Sequence, residues 1–180
     1  APDYVLVEES VRDALIQNLR GVLEEQFPDG DYSGLVRIVN ERHYREKKAL
    51  IEGQTVAFGG ECDDAAWRIK PTVLIDVDPD SPVMQQEIFG PILPVLTWAK
   101  LDDAISFVRN RPKPLALYLF TSQRDVEKRV LESCSFGGGC INDTVIHLAT
   151  PHMGFGGVGQ SGMGSYHGKR SFDTFTHYRS

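Results

Sequence analysis

Residues 115–120, LALYLF, form an uninterrupted apolar run in the second half of the chain. A strand that faces water on one side alternates apolar and polar residues, whereas a continuous apolar run is typical of a strand covered on both faces. Such strands belong to parallel sheets, in which a helix connects one strand to the next. A helical pattern lies on each side of this run, which predicts the α/β class.

The same alternation of strands and helices continues outward from this run. Ala104, Ile105 and Val108 share one face of a helix before it, and Ser122 with Asp125 predicts a capping box for a helix after it. We expect a three-layer fold with a mainly parallel sheet and helices on both faces, in one domain spanning residues 1–180. Strands are predicted over residues 4–7, 55–60, 71–77 and 93–98, and helices over 8–27, 40–51, 101–110 and 122–133, with a helical turn at 81–82.

The composition excludes several classes of partner. The formal net charge is −6 without a block of Lys or Arg, so a nucleic-acid partner is not expected. Three cysteines without CxxC spacing indicate free thiols in a reducing compartment, and no signal peptide or long apolar run is seen. The histidines show no metal-ligand spacing. We therefore expect a cytoplasmic protein that binds no metal.

The first residues leave two interpretations open. Ala-Pro-Asp leads straight into the β-prone run that begins at Tyr4, although chain termini usually fray. Either the chain is cut from a longer protein, or an initiator methionine was removed before Ala1.

The run GFGGVGQSGMGSYHG, residues 154–168, contains the pattern G-x-G-x-x-G twice. That pattern holds a pyrophosphate when a strand precedes it and a helix opens on its last glycine. Pro151 and His152 separate the run from residues 145–148, and the residues after Gly162 are a poor helix start. We interpret the run as a loop whose glycines allow close backbone approach and which forms part of a site.

Four segments together resemble the class 3 branch of the NAD(P)-dependent aldehyde dehydrogenases. They extend from the first residue to the last, and the combination of EIFGP with FGGVGxSGMGSYHGK is highly specific. The branch usually has proline where this chain has Gly154. The four segments are APDYVLVE (1–8), SPVMQQEIFGPILPV (81–95), KPLALYLFTS (113–122) and GGGCINDTVIHLATPHMGFGGVGQSGMGSYHGKRSFDTFTH (137–177).

The resemblance implies which parts of the enzyme are present. The family's nucleophilic cysteine would lie just upstream of Ala1, and its general base, oxyanion-hole Asn and Rossmann domain further upstream. We therefore expect this chain to be the C-terminal part of the catalytic domain, with no catalytic residue of its own and no activity alone. In the family, aldehydes become carboxylic acids through a cysteine thiohemiacetal and thioester.

The resemblance also assigns residues that contact the coenzyme and the substrate. Glu87 is expected to bind the nicotinamide ribose of NAD or NADP, and Phe89 to lie against the nicotinamide ring. The glycine run is expected to close over the aldehyde, and the parent protein to form a homodimer. The residues expected to line the aldehyde pocket are Val145, Leu148, Phe155 and His167.

The remaining polar residues of this region are expected to be structural. Asn142 and Asp143 are interpreted as turn-forming or capping residues. Cys134 and Cys140 have no His or Lys beside them in the sequence, so we expect both thiols to be inert.

Two alternative functions stay open from the sequence. One is a stand-alone, non-enzymatic domain that binds or dimerises with an intact homologue. The other is a related reductase of acyl phosphates or acyl thioesters.

Overall fold

A computed structural model describes residues 2–180 of the chain. These residues group into two compact units, Pro2–Ala99 and Lys100–Ser180, which we call the N-terminal and C-terminal units. The single domain expected from the sequence stays a prediction, and each unit is described by itself.

The N-terminal unit is built on a four-stranded sheet in the order β1-β6-β5-β2. The strand β6 is central, because it pairs in parallel with both β1 and β5, while β2 joins the β5 edge antiparallel. A short antiparallel pair, β3-β4, lies outside this sheet. The strands are β1 Val5–Glu8, β2 Thr55–Phe58, β3 Cys62–Asp63, β4 Arg68–Ile69, β5 Thr72–Ile75 and β6 Ile92–Trp98.

Helix α1, Arg12–Gln26, packs on this sheet. The buried side chains Val7, Val73 and Val95 come from three neighbouring strands, and Leu15 and Leu19 of α1 pack against them. The i, i+4 spacing that predicted this helix is therefore the spacing that places its apolar side chains on the sheet. The 3-10 helices of this unit are Glu9–Val11, Pro28–Gly30 and Pro82–Met84.

Helix α2, Glu41–Ala49, begins where the sequence predicted. Asn40 has extended backbone angles and its side-chain oxygen accepts a hydrogen bond from the backbone N–H of His43, at 2.9 Å. This hydrogen bond satisfies one of the free N–H groups of the first turn.

The C-terminal unit contains a two-stranded parallel sheet of β7 and β8. Helices α3 and α4 pack together around Ile105, Val130 and Cys134, and Leu117 and Leu119 of β7 pack against this cluster. The parallel pairing confirms the α/β class with mainly parallel strands that the apolar run predicted. The elements are α3 Leu101–Arg109, β7 Ala116–Leu119, α4 Arg124–Ser133, β8 Gly138–Ile141 and α5 Gly168–Thr174, with 3-10 helices at Ile146–Ala149 and Gly159–Ser161.

Some local expectations are wrong. The capping box at Ser122 does not form, because α4 begins one residue later, with Gln123 as N-cap and no side-chain cap hydrogen bond. The residues of β7 are half-buried rather than covered on both faces within this unit. The sequence analysis also missed β3, β4, β8 and α5, which are two to seven residues long or rich in glycine.

Replacing Asn40 by alanine tests the helix cap. We expect the free energy of unfolding to fall by about 1 kcal/mol, the usual effect of losing an N-cap acceptor. Urea denaturation followed by circular dichroism measures this change. Asn40→Ser is the matched control, since serine keeps an acceptor and should cost only a few tenths of a kcal/mol. Equal losses for both variants would contradict the capping role.

Candidate functional site

The N-terminal unit presents Glu87 and Phe89 on an irregular loop, residues 85–91, between the 3-10 helix Pro82–Met84 and β6. The loop is anchored at its middle and its end. The backbone N–H of Ile88 donates to the carboxylate of Asp3 at 2.9 Å, and the carbonyl of Pro91 accepts from the N–H of Thr72 at 2.8 Å. The loop is therefore irregular in shape and fixed in place.

Glu87 and Phe89 are exposed on either side of a buried residue. The side chain of Ile88 is 1% exposed, whereas that of Phe89 is 84% exposed and Glu87 is also exposed. Phe89 has a backbone φ of 50°, in the left-handed region that non-glycine residues rarely adopt. An anchored loop thus presents a carboxylate acceptor and an aromatic face to solvent.

An apolar cavity of about 330 Å³ lies beside the stem of this loop. Gly90 and Pro91 line it together with Leu19 and Phe58. None of the residues predicted to bind the aldehyde lines this cavity, since all of them belong to the C-terminal unit.

In the C-terminal unit, Val145 and Leu148 lie on one short segment that follows β8. The N–H of Ile146 donates to the carbonyl of Thr144 at 2.6 Å, which closes a three-residue γ-turn around Val145. Val145 accordingly has a φ of 65°, a strained conformation for a β-branched residue. The turn leads into the 3-10 helix Ile146–Ala149, and both predicted residues remain more than a third exposed.

Phe155 and His167 are brought together by the glycine run, residues 154–168. Phe155 and Tyr166 exchange two backbone hydrogen bonds of 2.8 and 2.9 Å, which pair the two ends of the run. This pairing stacks the rings of Phe155 and His167, with centroids 5.9 Å apart and an angle of 24° between the ring planes. The two residues therefore form one ring surface.

His147 links the segment that carries Val145 and Leu148 to the ring of Phe155. The sequence analysis did not single it out. Its ring lies 5.6 Å from that of Phe155 and 5.8 Å from that of Tyr118, centroid to centroid. It belongs to the same 3-10 helix as Leu148. Its position two residues after Val145 was the only sequence signal, and that signal is weak for a lone histidine.

The expectation that Cys140 has no neighbouring histidine is wrong. Its Sγ lies 3.7 Å from Nδ1 of His147. The turn that follows β8 brings these two side chains together. Cys134 is different, because it is buried in the helix cluster. This burial raises the pKa of its thiol, although the positive charge of Arg109 acts in the opposite direction. The inertness expected of Cys134 stays a prediction, which its burial supports.

The side chains of Asn142 and Asp143 both bind backbone groups, but Asn142 does so across 21 positions of the sequence and not within a turn or helix cap. The side chain of Asn142 accepts from the N–H of Thr121 at 2.8 Å and donates to its carbonyl at 2.9 Å. Asp143 accepts from the N–H of Thr144 at 2.7 Å.

The glycine run lacks the strand–loop–helix order of a nucleotide loop, because the 3-10 helix Ile146–Ala149 precedes it. Its glycines instead permit close packing of backbone on backbone. A Cβ atom built on Gly156 would overlap the carbonyl oxygen of Gly164. At Gly154, the side chain of Arg170 fills the space that a Cβ would take and donates to Ser165 at 3.2 Å.

Two kinds of feature are absent from residues 2–180, the part of the chain that the structure describes. No helix in that range combines the length and apolar character needed to span a membrane. No group of three or more His, Cys, Asp or Glu side chains there is arranged to hold a metal ion.

Comparison with known proteins gives a consistent result. A family model described as "Aldehyde dehydrogenase family" matches residues 1–180. The chain is 52% identical to 4,4'-diaponeurosporen-aldehyde dehydrogenase of Staphylococcus aureus, over 100% of this chain and 40% of that protein. It is 48% identical to aldehyde dehydrogenase family 3 member A2 of Rattus norvegicus, over 99% of this chain and 37% of that protein. It is 45% identical to the dimeric NADP-preferring aldehyde dehydrogenase of the same species, over 100% of this chain and 40% of that protein.

The solved structures agree with the sequence relatives. A substrate-bound state of Staphylococcus aureus AldH superposes with a TM-score of 0.93 at 50% identity, covering 100% of this chain and 41% of that one. The chain thus spans 37–40% of the length of these three curated relatives.

Replacing Gly156 by alanine tests the packing of the glycine run. We expect a loss of about 1–3 kcal/mol in the free energy of unfolding, since the added methyl group meets a backbone carbonyl that cannot rotate away. Gly34→Ala is the matched control, because a Cβ at Gly34 meets no atom within 4 Å. Chemical denaturation of both variants measures the difference, and equal stability would contradict the close approach.

Proposed function

This chain belongs to the aldehyde dehydrogenase family, and we propose that it is the part of a class 3-type, NAD(P)-dependent aldehyde dehydrogenase that contacts the nicotinamide ribose and the aldehyde. The observation that carries the proposal is the family match over the whole chain, together with the anchored loop that exposes Glu87 and Phe89. The reaction proposed is the oxidation of an aldehyde to a carboxylic acid.

The N-terminal unit would contribute to coenzyme binding. Glu87 would accept hydrogen bonds from the ribose hydroxyls, since an ionised carboxylate has several acceptor positions and no donor. Phe89 would restrict the nicotinamide ring through its exposed face. NAD or NADP, when bound, supplies the hydride acceptor for the oxidation. The residues present fit this group, because an anchored loop holds an exposed carboxylate acceptor two residues from an exposed aromatic ring.

The C-terminal unit would contribute the aldehyde pocket. Val145, Leu148 and Phe155 are apolar, and Phe155 stacks on His167. Apolar surfaces of this kind bind an alkyl or aryl group and exclude water from the reacting carbon. The substrate class proposed is therefore an apolar aldehyde, with the ring surface of Phe155 and His167 forming one wall of the pocket.

The nucleophile is not assigned to any residue of this chain. We propose that a cysteine preceding Ala1 in a longer protein supplies it, together with the coenzyme-binding domain, since the curated relatives are more than twice the length of this chain. We further propose that the longer protein is a cytoplasmic homodimer. One relative is named as dimeric, and the cysteines of this chain are free.

The non-enzymatic alternative is not favoured. The relatives at 45–52% identity are aldehyde dehydrogenases by name, and the loop that carries Glu87 and Phe89 is anchored by hydrogen bonds of its backbone. A domain that only binds a homologue has no need of a carboxylate and an aromatic ring exposed on an anchored loop.

Two substitutions in the full-length protein test the two binding roles against each other. Glu87→Gln should raise the KM for the coenzyme and slow hydride transfer by about tenfold, through the loss of charge-assisted hydrogen bonds. Leu148→Ala should raise the KM for a long-chain aldehyde by about three- to tenfold, at the roughly 0.8 kcal/mol per buried methylene expected for apolar burial. Steady-state kinetics with each ligand varied in turn measure both effects.

The decisive result is that each substitution raises the KM of its own ligand, coenzyme for Glu87→Gln and aldehyde for Leu148→Ala. Glu24→Gln, an exposed glutamate on α1, is the matched control and should change neither KM. If Glu87→Gln leaves coenzyme kinetics unchanged, Glu87 does not bind the coenzyme. If Leu148→Ala shifts the KM for the coenzyme and not for the aldehyde, the assignment of the pocket is wrong.

The purified 180-residue chain by itself should not oxidise aldehydes. Incubation with an aldehyde and NAD or NADP, followed at the absorbance of the reduced coenzyme, should give no signal above buffer. Reduced coenzyme formed in amounts equal to or above the protein concentration would show that the chain carries its own nucleophile.

A further inference from the structure

Asp3 makes a long-range hydrogen bond to the loop of residues 85–91. Its carboxylate accepts from the backbone N–H of Ile88 at 2.9 Å, across 85 positions in the sequence. Asp3 is half-buried and lies two residues before β1.

The residue that Asp3 holds is the one between Glu87 and Phe89. Ile88 is anchored twice, since its side chain is buried at 1% exposure and its N–H is bound to the carboxylate. Its two neighbours are exposed and have no comparable packing. Their directions therefore depend on the backbone at Ile88, and hence on the acceptor that fixes it.

The sheet determines where this acceptor stands. Strand β1 pairs in parallel with β6, with Val5 opposite Val95, and the loop of residues 85–91 enters β6 directly. Asp3 is therefore held beside the loop by the same ladder that orders both strands. From this position, the short side chain of Asp3 reaches the backbone N–H of Ile88.

We propose that Asp3 is a positioning residue for the coenzyme, which fixes the loop so that Glu87 and Phe89 face the nicotinamide ribose and ring. The proposal rests on the function proposed above. It also means that the segment preceding β1, where the nucleophile is proposed to lie, is tied to the coenzyme loop by one hydrogen bond. A carboxylate suits this role because an ionised acceptor binds a backbone N–H more strongly than a neutral one.

The test compares three variants of the full-length protein. Asp3→Ala removes the acceptor, and Asp3→Asn keeps an amide oxygen but loses the charge. Asp31→Ala is the matched control, since Asp31 is also a loop carboxylate that accepts from a backbone N–H, that of Ser33, at 2.8 Å. The measurements are the KM for coenzyme and for aldehyde, and hydrogen–deuterium exchange of residues 85–91 without coenzyme.

The expected result has a defined order. Asp3→Ala raises the KM for the coenzyme by about tenfold, the loss of one hydrogen bond to a charged group, while the KM for the aldehyde changes less than twofold. Asp3→Asn lies between Asp3→Ala and the wild type, and Asp31→Ala matches the wild type. Exchange at residues 85–91 rises in Asp3→Ala while β6 stays protected. A general loss of packing would instead raise exchange in β6 and both KM values.

The proposal is overturned if Asp3→Ala leaves both the exchange of residues 85–91 and the KM for the coenzyme at the wild-type values. It is also overturned if the Asp3 and Asp31 variants behave alike. If Asp3→Ala does not fold, Asp3→Asn decides by the same two readouts. A wild-type protein without NAD(P)-dependent aldehyde oxidation overturns the proposed function, and with it the coenzyme role of Asp3, whereas its role as the loop anchor is still decided by the exchange measurement.

Discussion

The parallel hydrogen-bond ladder along β6 is the interaction on which the N-terminal unit depends. Strand β6 pairs with β5 along Ile92–Val95 on one edge and with β1 along Val95–Trp98 on the other, so each half of the strand is hydrogen-bonded to a neighbour. Its side chains can then be buried, as Val95 is at 1% exposure. The loop of residues 85–91 enters this strand directly, so an irregular segment receives its position from the most regular part of the sheet.

The C-terminal unit uses a different constraint, the close approach of backbone to backbone. Gly156 lies against the carbonyl of Gly164, and a Cβ at Gly137 would overlap the carbonyl of Gly156. A side chain at either position would separate the segments. Since the glycine run carries Phe155 and His167, the stacking of these two rings follows from residues that have no side chain of their own.

The sequence predicted the long elements well, because their signals are local. Helices α1, α2, α3 and α4 and strands β1, β5, β6 and β7 follow from apolar spacing and, for α2, from the cap at Asn40. Strand β8 was missed because Gly138 and Gly139 carry no side chains to show a period, and α5 because it begins at a glycine.

Only part of the candidate site could be predicted from the sequence, for a similar reason. Glu87 and Phe89 lie in a recognisable motif, whereas the contact between Cys140 and His147 depends on how a turn folds back.

Three residues assigned to ligand contact, Phe89, Val145 and His167, have φ values of 50°, 65° and 86°. Glycine adopts this region freely, so each of these side chains is kept at a cost in stability. Selection for thermal tolerance alone would favour glycine at all three positions and would remove the ring and alkyl surfaces that we propose contact the ligands. In a library screened only for folding, these positions are therefore where a more robust and less competent protein would arise. Under the proposed function, a screen of the full-length protein that also measures turnover would retain the wild-type side chains there.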